Sequence, residues 1–445
     1  MVNATNSEFK QLKVAVIGGG LGGMAAAIAL RRAGHIVSIY ERRDFRLEVG
    51  ASISCAANGG KWLREWGVDI DSGRPTHLMK LVMRDWDTGK ILNNYSLEEY
   101  EESWGIVTLL HVPSVSREWF KKNANVCRVD MHEMLMQTAT QEEGEGIPCS
   151  VVIDHIATAC DAEAGTVTFA NGETISADLI IGADGIRSAI RGLIGVTPDI
   201  KSANQTCYRC NVRREDIQKL GLMPDSTDPA IQFWGGYTKE GLSQYYKIVM
   251  SPCAGEEIVS FYCFMPTEMT NHTKEGFQFA EVPVEEMIKG DYSRLDPQCI
   301  GLLENSVDRM PWRLYVHQPY SHWTRGRVGV LGDAAHPMMP HQSQGACMAI
   351  EDAAALGLIF SKNYHFTRDV RKGLELYEAI RKPRATRVQA ASARATENLN
   401  ERIGFSSLSA PEKALAALEN KLTVNEMNDY NMATHVAKEA PAFSL

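Results

Sequence analysis

The stretch Lys13-Val-Ala-Val-Ile-Gly-Gly-Gly-Leu-Gly-Gly-Met-Ala-Ala-Ala-Ile-Ala-Leu30 decides the fold. Lys13 to Ile17 is short, apolar and β-branched, which predicts a buried strand. Glycines follow at once, and Met24 to Leu30 is a run of good helix formers. In the pattern Gly18-x-Gly20-x-x-Gly23, Gly18 permits the tight turn and Gly20 lets a pyrophosphate approach the backbone. Gly23 lets helix and strand pack closely. The helix start then offers unpaired N–H groups to phosphate. A second predicted strand, Ile36-Val-Ser-Ile-Tyr40, ends at Glu41. This acid stands about 20 residues past the glycines, where a carboxylate accepts hydrogen bonds from a ribose.

Two further signatures follow in fixed order. Asp184-Gly185 lies in Asp178-Leu-Ile-Ile-Gly-Ala-Asp-Gly-Ile-Arg-Ser188, and Gly332-Asp333 lies in Val328-Gly-Val-Leu-Gly-Asp-Ala-Ala-His-Pro337. A lone GxGxxG is weak, because NAD enzymes, FAD enzymes and small-residue turns all carry it. The ordered triple specifies a flavin.

The 445 residues hold two or three domains of ordinary size. Net charge is −9 with no basic tract, which argues against nucleic acid and an anionic membrane surface as partners. No apolar run approaches the ~20 residues of a membrane span. The polar start Met1-Val-Asn-Ala-Thr-Asn-Ser7 and ten scattered cysteines predict a cytoplasmic protein with free thiols. No His/Cys/Asp cluster has metal-ligand spacing, so no metal is expected. Cys207-Tyr-Arg-Cys210 lacks the second pair that zinc would need.

The fold class read from these patterns is α/β. A Rossmann-like FAD-binding domain (1–77, 102–199 and 307–400) carries an inserted, mostly antiparallel β-sheet substrate domain (78–101 and 200–306). C-terminal helices and a helical tail, 401–445, complete the chain. Ala230 to Trp234, Leu242 to Val249 and Ile258 to Phe264 read as three antiparallel strands. The tail packs as a terminal helix or mediates self-association, so either a monomer or a homodimer is expected.

With the three signatures in place, the chain resembles the single-component FAD aromatic monooxygenases, the p-hydroxybenzoate-hydroxylase-like group. Within it, the resemblance is nearest to fungal salicylate-hydroxylase-like enzymes. Arg128-Val-Asp-Met-His-Glu-Met-Leu135, Trp312, Tyr315 and Tyr377-Glu-Ala-Ile-Arg-Lys-Pro-Arg384 support it. The resemblance implies FAD as cofactor and NADH or NADPH as cosubstrate. It also implies dioxygen and a small aromatic substrate, with oxygen transfer through a flavin hydroperoxide. Carried over residue by residue, it places Glu41 on the adenosine ribose and Arg128 near the pyrophosphate or ribityl chain. Asp333 falls on the ribityl or ribose hydroxyls, and Asp184 on FAD and the nicotinamide path. Pro337 to Gly345 wraps the isoalloxazine, with Gly345 and Ala346 opening a helix toward it. Arg42, beside Glu41, joins the nucleotide site.

The substrate implied is a phenolic acid, salicylate or 4-hydroxybenzoate in type, with or without oxidative decarboxylation. The alternatives are a neutral or polyketide-derived phenol and, in another class, a non-catalytic interaction protein of the same fold. Arg209 is the candidate carboxylate anchor. It faces either the flavin or the outside of its sheet, since period-2 alternation decides and the register is open. Tyr246 and His341 are candidate acceptors of the phenol proton. Trp234 and Pro340 are candidate pocket walls. His336 is expected to be structural, and Glu351-Asp352 to favour a helix by charge.

Overall fold

The computed structural model describes residues 9–43, 51–112, 131–235, 245–270, 281–397, 401–402 and 421–443. The strand Lys13–Ile17 sits between Ile36–Tyr40 and Leu179–Gly182, parallel to both. Val328–Val330 extends the sheet beyond Leu179–Gly182, and Ser150–Val152 extends it beyond Ile36–Tyr40. Such a sheet is covered on both faces, so its strands read as apolar runs. The helix Leu21–Arg32 packs against Gly345–Ile359, and Met131–Thr140 packs on it as well. Small residues permit the first contact: a Cβ on Gly357 would lie 3.0 Å from the Cβ of Ala29. Val167 and Phe169, from the antiparallel hairpin that turns at Asn171-Gly172, join the same core.

The second sheet has seven strands, in the order Val307–His317, Ile200–Arg213, Ile258–Pro266, Lys247–Cys253, Ala230–Gly235, Lys80–Arg84 and Ile91–Ser96. All neighbours are antiparallel except Ala230–Gly235 with Lys80–Arg84. Two boundaries differ from the sequence reading. Val307–His317 was assigned to the nucleotide domain but pairs with Ile200–Arg213, because its long ladder is satisfied only there. The central strand begins at Lys247 rather than Leu242, and residues 236–244 lie outside the described part.

One face of this sheet is closed by an aromatic core around Trp86, Tyr208, Trp234, Tyr246 and Tyr292. The other face looks toward the nucleotide domain. Alternation along each strand divides residues between the two. Ile231 and Phe233, Lys247, Val249 and Ser251, Tyr262 and Phe264, and Arg209 share the inner face. Tyr208, Trp234, Ile248, Met250, Phe261 and Cys263 fill the outer core.

The helix Val370–Glu397 runs through Pro383 and is tied to Gly345–Ile359 by a buried ionic network. Arg381 donates to Asp352 at 2.8 Å and to Glu351 at 2.7 Å, and Arg384 adds two bonds of 2.7 and 2.8 Å to Glu351. Asn58 donates to Glu351 at 2.8 Å. His336 Nε2 lies 2.5 Å from Asp352, whose carboxylate also accepts from Gly332 N at 3.0 Å. His336 is structural, as its position suggested. Glu351 and Asp352 do more than favour a helix. They are 1% and 0% exposed, Glu351 binding Arg381, Arg384 and Asn58 while Asp352 holds the Gly332-Asp333 turn in place. Among the described residues no helix is long and apolar enough to cross a membrane.

Candidate active site

Two cavities meet at Gly20, Ala183 and Gly185. The smaller, about 330 Å³, is lined by Gly18, Gly20, Tyr40, Glu41, Arg42, His155 and Asp184 among others. The larger, about 480 Å³, lies between the nucleotide domain and the inner face of the second sheet.

The glycine loop behaves as its spacing predicts. Gly18 has φ +108°, and a Cβ there would lie 2.4 Å from Ala183 O. A Cβ on Gly23 would lie 2.0 Å from Gly18 O. At Gly20 a Cβ would meet no atom within 4 Å, so this position faces open cleft. Glu41 Oε2 accepts from Gly19 N at 2.7 Å, fixing the loop at the end of the second strand. His132 adds a contact that the sequence reading did not single out: its Nε2 lies 2.6 Å from Gly19 O. Asp184 caps the next helix, accepting from Ser188 Oγ at 2.5 Å and from Ala189 N at 2.7 Å. Arg128 lies outside the described residues.

Two helices aim their N-termini into the larger cavity. Leu21–Arg32 and Gly345–Ile359 each lack a side-chain cap and an acid in the first turn. Gly20, Leu21, Gly345 and Ala346 all line the cavity. Uncapped N–H groups at two converging helix starts suit a diphosphate and the anionic edge of a reduced flavin. Asp333 lines the same cavity and makes no hydrogen bond to the described residues. Burial raises its pKa, opposed by His336 and Arg191. An unpartnered acid in that place suits a polyol hydroxyl. The residues present therefore fit FAD: those of the smaller cavity would hold its adenosine and those of the larger its ring system. Gly20→Ala should fold normally, since φ is −71° and the added methyl touches nothing, but should purify with little flavin. Gly23→Ala should instead lose about 1–3 kcal/mol of stability by overpacking. Flavin absorbance and denaturant midpoints separate the two outcomes.

Residues 11–392 match the family model described as an FAD binding domain. The chain belongs to the single-component FAD-dependent aromatic monooxygenases. The monooxygenase is 32% identical to FAD-dependent monooxygenase cfoG of Aspergillus candidus over 396 residues, 86% of this chain and 84% of that one. It is 32% identical to hispidin-3-hydroxylase of Neonothopanus nambi over 400 residues, 86% and 87% of the two chains. It is 30% identical to 6-hydroxynicotinate 3-monooxygenase of Pseudomonas fluorescens over 387 residues, 85% and 90%. Among solved structures, CtdE in complex with FAD and a substrate superposes with a TM-score of 0.75 at 19% identity, covering 98% of this chain and 99% of that one. A salicylate hydroxylase substrate complex gives 0.66 at 20%, covering 96% and 97%. At such identities these structures speak for the fold alone.

On the substrate side of the monooxygenase cavity, Arg209, Pro340 and His341 are lining residues, whereas Trp234 and Tyr246 are not. Arg209 faces inward, its guanidinium 4.6 Å from the Trp312 ring centroid and 5.2 Å from that of Tyr262. Pro340 and His341 line the cavity. His341 packs 4.9 Å from the Phe264 ring, and its Nε2 is buried without a hydrogen-bond partner. Burial, with Lys247 and Arg402 nearby, pulls its pKa well below the usual histidine value, so the imidazole is neutral. Trp234 and Tyr246 do not line the cavity. They are 0% and 4% exposed in the outer core, with Tyr246 6.2 Å from Trp86. Strand parity turns them away: Phe233 and Lys247 occupy the inward positions beside them.

Sequence reasoning missed Lys247 and Arg402, which also line the cavity. A single cation inside the apolar run Tyr245-Tyr-Lys-Ile-Val-Met250 was the available signal for Lys247. Arg402, whose guanidinium lies 4.9 Å from the Phe233 ring centroid, stands in a segment with no comparable signal.

Proposed function

We propose that this monooxygenase hydroxylates a small hydroxyarene that binds as an anion, a hydroxybenzoate in type, using NADH or NADPH and dioxygen. The observation that carries this reading is the charge pattern of the cavity. Arg209, Lys247 and Arg402 line it together with the aromatic walls Phe233, Tyr262 and Phe264, while Asp333 is the only carboxylate among its described lining residues. Cations in an apolar, largely buried site favour a phenolate or carboxylate far more than they would in water. Bound FAD would carry the two electrons of the nicotinamide to oxygen and activate it. The chain's own residues hold the ring by its aromatic faces, pair its negative charge with Arg209, and exclude water.

A panel of salicylate, 3-hydroxybenzoate, 4-hydroxybenzoate, protocatechuate and neutral phenols tests the reading, followed by NAD(P)H oxidation, dioxygen uptake and product mass. Product mass also reports whether the carboxylate is lost. Arg209→Ala should raise KM for the acids roughly 10- to 150-fold, the value of one charge-assisted hydrogen bond of about 1.5–3 kcal/mol. An unchanged KM would remove Arg209 from the anchoring role.

A specific observation favours a second reading, a larger neutral or polyketide-derived phenol. A further cavity of about 300 Å³ shares Ser54, Ile231, Ser343, Gln344 and Arg402 with the active site and is walled by Leu81, Tyr100, Trp104 and Met427. Coupled turnover confined to extended phenols would select it.

A further inference from the structure

Lys247 has a placement that charge pairing alone does not explain. Its side chain is 1% exposed, yet it lines the active-site cavity. Nζ lies 5.4 Å from the Phe264 ring centroid and donates to Ala395 O and Thr396 O, both at 3.1 Å. These carbonyls belong to the last turn of Val370–Glu397, where a helix leaves acceptors unpaired and carries partial negative charge. An ammonium has three N–H bonds. Two are directed to the helix end, and the described residues supply no third partner.

We infer that Lys247 Nζ takes the proton of the substrate's ring hydroxyl, so that the substrate is held as an aryloxide against a lysine ammonium. This rests on the hydroxyarene reading above. The step balances: the O–H bond breaks and its electron pair stays on oxygen. The amine lone pair of Nζ forms the new N–H bond, and nothing is oxidised or reduced. An aryloxide is the more electron-rich ring, which is the form that attack by an electrophilic oxygen requires.

The surroundings prepare Lys247 for this exchange. Burial pulls its pKa down to about 7, and Cys207, two strands away across Ile258–Pro266, opposes that shift. A base is most effective when its pKa lies near the working pH. His341 on the facing loop is neutral and too weak a base to compete. Arg402 and Arg209 share the cavity, and Tyr262 is held by its hydroxyl donating to Ser52 O at 2.5 Å. Burial pushes the Tyr262 phenol up, so it stays protonated. The helix-end carbonyls hold the ammonium once it has formed.

The test uses oxidised holoenzyme with each hydroxybenzoate of the panel. Ionisation of the bound hydroxyl is read from the ultraviolet phenolate difference band as pH is varied through neutrality. Wild type should ionise the bound hydroxyl at least tenfold more readily than the free compound, and Lys247→Met should abolish that gain at normal flavin content. Lys247→Arg keeps the charge but cannot accept a proton at neutral pH. It should turn over only where the substrate is already ionised in solution, shifting the pH profile of kcat to alkaline values. Should Lys247→Met or Lys247→Arg bind the same compounds with ionisation and pH profile like wild type, the inference is overturned. If no hydroxybenzoate perturbs the wild-type flavin or is ionised, the substrate reading itself falls, and the inference with it.

Discussion

Asp333→Ala protein should leave purification nearly colourless, with FAD affinity lowered roughly 10- to 150-fold or more. Each charge-assisted hydrogen bond that a carboxylate accepts from a cofactor hydroxyl contributes about 1.5–3 kcal/mol. The same substitution should not weaken the flavin-free fold. Asp333 makes no hydrogen bond to the described residues, so none is lost when it is replaced. Flavin content by absorbance and denaturant unfolding of flavin-free protein report the two quantities separately. A variant with wild-type flavin occupancy would take Asp333 out of the cofactor site.

The largest loss of stability should follow Arg381→Met. Arg381 is fully buried and bridges Glu351 and Asp352, which are as deeply buried. Removing one partner from such a network leaves uncompensated charge and costs about 3–5 kcal/mol. Lys10→Met breaks the pair with Asp178 at a side chain 52% exposed, and should cost at most about 1 kcal/mol. Denaturant midpoints of the two variants test the contrast.

The network also sets an acid limit. Burial pushes both carboxyls up, but Arg381 for Glu351, and His336 with Arg381 for Asp352, more than offset it, leaving both below their ordinary values of 4.5 and 3.8. A depressed folded-state pKa gives stability that is complete above the unfolded value and is lost as pH falls through the folded one. Arg381→Met should therefore narrow the stability gap to wild type as pH drops below about 4.

The nucleotide half of the molecule was legible in the sequence because its constraints are local. Gly18 and Gly23 are where a side chain would collide with backbone, and Glu41 follows at the distance that one strand-helix-strand unit dictates. The substrate half was legible only as a set of strands. Period-2 alternation says that Arg209 and Tyr208 oppose each other, but not which one looks inward. That depends on which face of the sheet Trp86 and Tyr292 close, and both are distant in sequence. The same ambiguity put Trp234 and Tyr246 in the cavity and hid Lys247. Glu351 and Asp352 read as helix-surface acids because their partners, Arg381 and Arg384, arrive from a helix about thirty residues on.

The order of strands in the nucleotide sheet bears on how this chain is made. Leu179–Gly182 stands beside Lys13–Ile17 on one side, but its other neighbour, Val328–Val330, lies beyond the whole substrate sheet in sequence. A ribosome adding about 5–20 residues per second needs roughly 7–30 s to deliver it. For that interval the nascent chain carries an apolar sheet edge with no companion. The helix start at Gly345, which closes the flavin cavity, emerges later still. The flavin cavity is therefore complete only once Gly345 has been made, so flavin binds after the nucleotide sheet has its full set of strands.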